Sequence, residues 1–162
     1  MILRYFNVAG ADKNLRTGLI SKFSTHLIKI ACEVAVGKRK KLIINGDNYD
    51  TPDGTPVRDF IHVSDLADIH VLSAENLIKK NKSNIFNCGY GKGFSVKQII
   101  NSIIRVSKEK NFKIKIFPRR KGDVPKLVCS NKLAKKLLNW TPKNSYLYKI
   151  IKDEITWQKF IK

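Results

Sequence analysis

The sequence predicts a mixed α/β fold built around one hydrophobic core. Short apolar runs of strand length alternate with longer segments whose apolar residues recur at helical spacing. Glycine and proline stand between these segments and not within them, as they do at turns. With 162 residues and a hydrophobic fraction of 43%, the chain is long enough to bury a core of ordinary size.

The first part of the chain predicts a strand, a loop and a helix. Met1 to Phe6 is apolar enough for a strand of a buried parallel sheet. Asn7 to Ser24 is polar and is predicted to be a loop, after which Thr25 or Ser24 caps a helix that ends near Gly37. The apolar stripe of this helix consists of Leu27, Ile28, Ala31, Val34 and Ala35.

Two strands, a helix and a third strand are predicted next. Leu42 to Asn45 and Phe60 to Val63 have strand length and composition, and so does Asn84 to Cys88. Ser64 is the predicted N-cap of the helix between the second and third of these strands. We expect this helix to bury Ala67, Val71, Leu72, Ala74, Leu77 and Ile78.

The remainder alternates helices with one half-exposed strand, Phe112 to Phe117. Gly89 to Gly93 is a predicted turn, and Ser95 caps a helix after it. The inward side chains of this helix are Val96, Ile99, Ile100, Ile103, Ile104 and Val106. The last predicted segments are a loop over Pro118 to Pro125 and helices over Asn131 to Leu138 and Leu147 to Phe160.

The net charge of +19 suggests nucleic-acid binding, but the distribution of charge disfavours it. Seven of the thirteen acidic residues lie between Asp47 and Glu75, whereas the lysines are scattered through all other segments. A nucleic-acid interface more often gathers Lys and Arg on one face and interleaves exposed aromatic residues. We therefore interpret the lysines as a compositional bias of solvated surfaces, with nonspecific polyanion binding as an alternative.

The cysteines and apolar runs predict a cytoplasmic location. Cys32, Cys88 and Cys129 lie far apart without a C-x-x-C pair, as expected for reduced thiols. The first residues do not resemble a secretory leader, and no apolar run approaches the roughly 20 residues of a membrane span. We expect no association with a membrane.

Three further motifs carry no predicted chemistry. Gly89-x-Gly91-x-Gly93 differs from the dinucleotide fingerprint G-x-G-x-x-G, because one residue and not two separates its last two glycines. It is interpreted as a structural turn. Tyr148 and Lys152 have the spacing of a reductase pair, but such a spacing on a surface helix is common by chance. His62 and His70 have no third ligand at a suitable spacing, so no metal site is predicted.

Four motifs in order along the chain carry a resemblance to a known family. They are Tyr5-Phe6-Asn7, Thr25-His26-Leu27, Val57-Arg58-Asp59 and Arg119-Arg120-Lys121-Gly122-Asp123. Together with the segment from Gly46 to Glu75, they resemble the sugar-nucleotide-binding half of the UDP-glucose 4-epimerases, which are extended short-chain dehydrogenases/reductases. The resemblance extends from Leu3 to Trp157 and implies an isomerase of galactose metabolism that interconverts UDP-glucose and UDP-galactose with bound NAD.

The resemblance implies a role for ten residues, of which Phe6 alone lies near the nicotinamide. In the family's pattern Arg58 and Arg120 hold the diphosphate, which suits the planar fork of arginine, and Asp123 holds the ribose hydroxyls. The other implied substrate contacts are Asn7, His26, Leu27, Ile43, Asn45 and Leu127. Asn45 stands where the family usually has an aromatic residue, and Arg58 with Asp59 could instead form a structural ion pair.

By the same resemblance, residues 1–162 form a single C-terminal UDP-sugar-binding portion without the NAD-binding Rossmann portion or its catalytic Tyr and Lys. We expect no NAD binding and no activity of this chain alone, and a separately encoded N-terminal half as a partner. The alternative is a stand-alone UDP-sugar-binding module. Two strands, Leu3 to Phe6 and Ile85 to Cys88, are expected to be orphans of the missing sheet that leave Ile2, Leu3, Phe6, Ile85 and Phe86 uncovered.

Overall fold

The computed structural model describes residues 1–161 and has a mixed α/β architecture, as predicted. Its strands are β1 (Ile2–Tyr5), β2 (Asn7–Ala9), β3 (Leu42–Asn45), β4 (Val57–His62), β5 (Ile85–Cys88), β6 (Gly93–Ser95), β7 (Ile114–Phe117) and β8 (Lys126–Leu127). Its helices are α1 (Leu27–Ala35), α2 (Val63–Lys80), α3 (Val96–Ser107), α4 (Lys132–Leu138) and α5 (Leu147–Phe160).

The strands form three small sheets. β1 pairs in parallel with β5, so that Leu3 lies opposite Phe86, and β3 pairs in parallel with β7, so that Asn45 lies opposite Phe117. The third sheet is centred on β4, which pairs with β2 and β8 in parallel and with β6 in antiparallel orientation. β4 thereby joins three segments that are distant from one another in sequence.

The main core lies between helices α1, α3 and α5 and the strands β3 and β4. Its fully buried side chains include Ile28, Ile99, Ile103, Ile150 and Ile151. The predicted apolar stripes of α1 and α3, together with the buried isoleucines of α5, supply most of this core, because each helix places residues three and four apart on one face.

A second core lies beneath β5, between α2 and α4. Phe86 is fully buried there against Ile61, Ile69 and Trp140, and Leu3 packs against the edge of this cluster. The expectation that Phe86 would be uncovered is therefore wrong. Leu3 and Phe6 are half-buried, whereas Ile2 and Ile85 on the opposite face are 56% and 45% exposed.

The buried face of α2 differs from the prediction. Ala67, Val71, Ala74 and Ile78 form an apolar stripe on the solvent side, and Ile78 is 83% exposed. The side chains that α2 buries are Asp65, Leu66, Ile69 and Ser73. The helix carries two stripes of helical spacing, and the tertiary contacts of β4, β5 and α4 decide which one is covered.

Two predicted N-caps are wrong, and one is confirmed. The N-cap of α1 is His26, and the Ser24 hydroxyl instead accepts a hydrogen bond from the His26 amide. The N-cap of α2 is His62, whose Nδ1 accepts a hydrogen bond from the Ser64 amide at 3.1 Å. Ser95 caps α3 through a capping box with Gln98, as predicted.

Three short strands were not predicted: β2 within the expected loop, β6 starting at the last residue of the glycine turn, and β8 after the loop of Pro118 to Pro125. The predicted β1, β3, β5 and β7 are present, but β1 and β7 are more exposed than expected. Among residues 1–161 no helix is long and apolar enough to cross a membrane. Cys32, Cys88 and Cys129 are free thiols.

Candidate functional site

A cleft of about 350 Å³ opens where the end of β3, the start of α1 and the β7–β8 loop meet the β2–β4 sheet. β2 and α1 are joined by the loop of residues 10–26, whose last two residues, Thr25 and His26, line the cleft. The pairing of β3 with β7 brings the β7–β8 loop, with Arg120 and Asp123, to the same cleft. Four segments that are distant in sequence therefore converge on one concave surface.

Eight of the ten predicted site residues line this cleft. They are Asn7, His26, Leu27, Ile43, Asn45, Arg58, Arg120 and Asp123. The other two do not line it. Phe6 lies half-buried between β1 and β2, and its amide donates to the Cys88 carbonyl at 3.3 Å. Leu127 lies on β8 opposite Arg58 and is 49% exposed.

Arg58 enters the cleft from β4 and forms an ion pair with Asp123. Its Nη2 donates to Asp123 Oδ1, and its Nη1 donates to the Val57 carbonyl at 2.9 Å. The Arg58 side chain is 14% exposed, so this pair is better shielded from solvent than an ordinary surface pair. The cleft thus holds a guanidinium and a carboxylate side by side, each able to contact a polar ligand.

The alternative of an Arg58–Asp59 ion pair is wrong. Successive side chains of a strand point to opposite faces, so Asp59 lies on the other face of β4 and is fully buried. There it accepts hydrogen bonds from the backbone amides of Tyr90 at 2.9 Å, Gly91 at 2.8 Å and Cys129 at 3.4 Å.

The second arginine of the cleft, Arg120, belongs to the exposed β7–β8 loop. Its guanidinium reaches across to the side-chain amide of Asn45 at the end of β3. Arg119, the preceding residue, points away from the cleft, where its Nε donates to Asn48 Oδ1 at 2.7 Å and its guanidinium stacks over the Tyr49 ring. Of these two neighbouring arginines, Arg120 faces the cleft and Arg119 does not.

The N-terminus of α1 provides a further positive feature. His26 is in an extended conformation, and its carbonyl accepts the first helical hydrogen bond from the Ile30 amide. In the described structure no side chain caps the amides of the first turn, and that turn carries no acidic residue. The cleft therefore receives the positive end of the helix dipole together with Arg58 and Arg120.

Several residues of the cleft were not predicted as site residues. Val8 and Ala9 line it from β2, and Thr25 precedes the helix N-terminus. Phe60 forms a buried wall two residues after Arg58. The alternation of side chains along a strand places residues i and i+2 on one face, so Phe60 could have been inferred from Arg58.

The glycine turn does not offer a dinucleotide cradle. Its Tyr90 and Gly91 amides are already bound to the Asp59 carboxylate, and a Cβ at Gly89 would lie 2.7 Å from Cys129 Sγ. The turn is therefore closed around a carboxylate of the chain itself, as its structural interpretation predicts. These residues do not fit the pyrophosphate of NAD.

Tyr148, Lys152 and His62, for which no chemistry is predicted, do not line the cleft. Tyr148 is 61% exposed on α5, and neither it nor Lys152 lines the cleft. His62 is buried, with Nε2 3.2 Å from Asp153 Oδ2, and burial lowers its pKa. Among residues 1–161 no group of three His, Cys, Asp or Glu side chains is arranged for a metal ion.

Curated relatives match nearly the whole chain. A UDP-glucose 4-epimerase of Azospirillum brasilense is 46% identical over 159 residues, which are 98% of this chain and 45% of that protein. One of Halalkalibacterium halodurans is 44% identical over 97% of this chain and 47% of its own length. The chain thus spans about half the length of the curated relatives it matches.

Solved structures agree with this result. The UDP-Glc/GlcNAc 4-epimerase of Campylobacter jejuni is 47% identical with a TM-score of 0.80, over 99% of this chain and 48% of that chain. The UDP-glucose 4-epimerase of Stenotrophomonas maltophila, with NAD and formylated UDP-arabinopyranose bound, superposes with a TM-score of 0.92 at 34% identity, over 98% and 47% of the two chains. The predicted resemblance and fold class are confirmed.

A family model, described as the NAD dependent epimerase/dehydratase family, matches residues 1–89. These residues carry three of the four motifs quoted above and make up more than half of the 162-residue chain. The chain belongs to the NAD dependent epimerase/dehydratase family.

Proposed function

We propose that residues 1–162 form the sugar-nucleotide-binding, C-terminal portion of a UDP-glucose 4-epimerase and bind a UDP-sugar, UDP-glucose or UDP-galactose, in the cleft. The observation that carries the proposal is the convergence of Arg58, Arg120 and the N-terminus of α1 on one concavity. Guanidinium groups and helix amides are the donors that diphosphates require.

The relatives support the nature of the ligand. The structure of the Bifidobacterium longum UDP-glucose 4-epimerase contains NAD+ and UDP, and that of Stenotrophomonas maltophila contains a UDP-sugar. In the proposed complex Asp123 releases Arg58 to the diphosphate and accepts hydrogen bonds from the ribose hydroxyls. The ion pair observed between these side chains keeps both charges paired until the ligand arrives.

Calorimetry of the purified chain with UDP-glucose tests the proposal. We expect saturable binding that falls about tenfold or more in Arg58→Ala, because a charge-assisted phosphate contact contributes roughly 1.5–3 kcal/mol. Arg119→Ala is the matched control, since it removes the same charge from a residue outside the cleft. Equal losses in both variants would contradict the proposed site.

The chain alone is proposed to be inactive and not to hold NAD. The glycine turn is closed by Asp59, and the one Tyr-x-x-x-Lys pair lies exposed on α5 outside the cleft. Purified chain supplied with NAD and UDP-galactose should give no UDP-glucose above the blank. Turnover that disappeared in Tyr148→Phe would overturn this part of the proposal.

A separately encoded N-terminal half is the proposed partner, acting with this chain in the cytoplasm, where free thiols are stable. Support comes from two exposed apolar regions: Ile2 and Ile85 on the β1–β5 sheet, and the outward stripe of α2 that includes Val71 and Ile78. Co-expression with the N-terminal half of the Azospirillum brasilense relative should give a co-purifying complex with epimerase activity. Val71→Lys should weaken that complex, whereas Lys135→Glu on α4 should not.

Nonspecific polyanion binding is the second candidate function, and the net charge of +19 is the observation that favours it. The two functions differ in their response to salt. Polyanion binding should ignore nucleotide identity and weaken steeply with ionic strength, whereas binding in the cleft should be selective for uridine diphosphates and sensitive to Arg58→Ala.

A further inference from the structure

Asn45 lies at the point where the two sides of the cleft approach each other. It is the last residue of β3 and pairs with Phe117, the last residue of β7. The Gly46 amide then donates to the Phe117 carbonyl at 2.7 Å, which fixes the start of the β7–β8 loop. Arg120 follows three residues later, so the backbone pairing delivers its guanidinium to Asn45.

The contact between the two side chains uses one edge of the guanidinium. With the Asn45 amide oriented so that Oδ1 faces Arg120, this oxygen accepts from Nη2 at 3.0 Å and from Nε at 3.1 Å. An arginine side chain carries five N–H donors. The contact therefore occupies two of them and leaves three, two on Nη1 and one on Nη2, for an anion in the cleft.

We infer that Asn45 is a positioning residue that holds Arg120 in its anion-binding orientation before the ligand arrives. The inference rests on the proposed diphosphate site and adds to it how one of its two arginines is fixed. Arg120 lies on an exposed loop, where a long side chain samples many rotamers. Restricting those rotamers in the free protein lowers the entropy lost on binding, and the ligand then binds more tightly.

Nothing in this role requires Asn45 to touch the nucleobase. Its amide oxygen is engaged by the guanidinium, and what it orients is the phosphate end of the cleft. The inference therefore makes a distinctive prediction: removing the Asn45 amide should weaken every ligand that carries a diphosphate, whether or not the ligand carries uracil.

The chain contains a matched pair outside the cleft. Asn48 Oδ1 accepts from Arg119 Nε at 2.7 Å in the same two segments, β3 with its following turn and the β7–β8 loop. Neither Asn48 nor Arg119 lines the cleft. Asn48→Ala thus removes the same kind of contact, from the same loop, without altering the proposed site.

The contact itself is tested without ligand. In ¹⁵N NMR spectra of the purified chain, Asn45→Ala should shift the Arg120 Nε–H signal and speed its exchange with water. Asn48→Ala should do so for Arg119 and leave Arg120 unchanged. An Arg120 signal that is the same in the wild-type chain and in Asn45→Ala would overturn the inference, whether or not the chain binds a nucleotide.

The consequence for binding is tested by calorimetry with UDP and with inorganic pyrophosphate. Asn45→Ala should weaken both about fivefold, as expected when one rotamer-rich side chain has to be ordered on binding, and Asn48→Ala should weaken neither. Arg120→Ala combined with Asn45→Ala should lose no more affinity than Arg120→Ala alone. A loss confined to UDP would show that Asn45 contacts the base, and a full additive loss would show that it acts independently of Arg120; either result overturns the inference. A wild-type chain that binds neither ligand would instead refute the proposed function.

Discussion

His62 shows at the scale of a single residue how burial couples a side chain to pH. Its Nδ1 accepts a hydrogen bond from the Ser64 amide, so the proton of the neutral ring is on Nε2, facing Asp153. Burial lowers the pKa of His62 from 6.5, and this outweighs the opposing effects of Asp153 and Asp65, while Lys149 lowers it further. Protonation would also remove the acceptor that caps α2.

We expect this coupling in the pH dependence of stability. Because the pKa in the folded state is depressed, the contribution of neutral His62 is complete above about pH 6.5 and is lost as the pH falls through the folded-state value. The free energy of unfolding of the wild-type chain, measured by urea titrations, should decrease as the pH is lowered from 7.5 to 5. His62→Gln should be less stable at pH 7.5 and show a flatter profile. His70→Gln, on the exposed face of α2, is the control, and a profile of His62→Gln parallel to the wild type would contradict the prediction.

Asp59 makes a second prediction at this scale. Its buried carboxylate accepts from three backbone amides, two in the glycine turn and one at Cys129. Asp59→Asn keeps the shape but removes the charge and turns an NH2 group toward those donors, so we expect a loss of about 3 kcal/mol in the free energy of unfolding. Asp68→Asn, on the partly exposed side of α2, should change it by less than about 0.5 kcal/mol. Similar values for the two variants would show that the turn does not depend on Asp59.

The elements differ in how far their local sequence determines them. α5 begins at Leu147 and ends at Phe160, as predicted, because its apolar residues have an unambiguous helical spacing. β2, β6 and β8 are two or three residues long and exist only because β4 pairs with them, which no local pattern reveals. The buried face of α2 was mistaken for the same reason, since two stripes of correct spacing compete and packing decides between them.

The cleft, too, could be predicted from the sequence only in part. The resemblance identified eight residues that the fold brings together, six of them within the four motifs. Sequence could not show that Arg58 pairs with Asp123, which is 65 residues away, or that Asn45 contacts Arg120. Those contacts depend on strand register and loop path, and these are tertiary properties.

Ser95 permits a test at the scale of an element. Its hydroxyl accepts from the Gln98 amide at 3.1 Å, and the Gln98 side chain returns the contact to the Ser95 amide at 2.9 Å. Ser95→Ala removes this cap and also the hydrogen bond that the Ser95 hydroxyl donates to Asp53 Oδ2, so it should lower the free energy of unfolding by at least about 1 kcal/mol, measured by urea denaturation. Thr156→Ala on the exposed face of α5 should change it by less than about 0.5 kcal/mol. If both variants were neutral, the cap would contribute nothing to α3.

At the scale of the whole molecule, the two cores should differ in stability. The main core is enclosed by α1, α3 and α5 around β3 and β4. The second core covers one face of the β1–β5 sheet, and in the described structure that sheet has two strands, so each has an edge without a partner strand. Such edges and the exposed Ile2 and Ile85 favour opening or self-association.

Hydrogen exchange on the purified monomer measures this difference directly. We expect the amides of Leu3 to Phe6 to exchange at least about a hundredfold faster than those of Ile99 to Ile104, since a difference of about 2.7 kcal/mol in opening free energy corresponds to that ratio. Phe86 anchors β5 in the second core, so its amide should be protected to an intermediate degree. Adding the proposed N-terminal half should slow exchange in β1 and β5 and leave α3 unchanged, because only the sheet gains new strand partners. Equal protection of β1 and α3 in a monomer proven by sedimentation would show that the chain forms one cooperative unit, and the second core would then be as complete as the first.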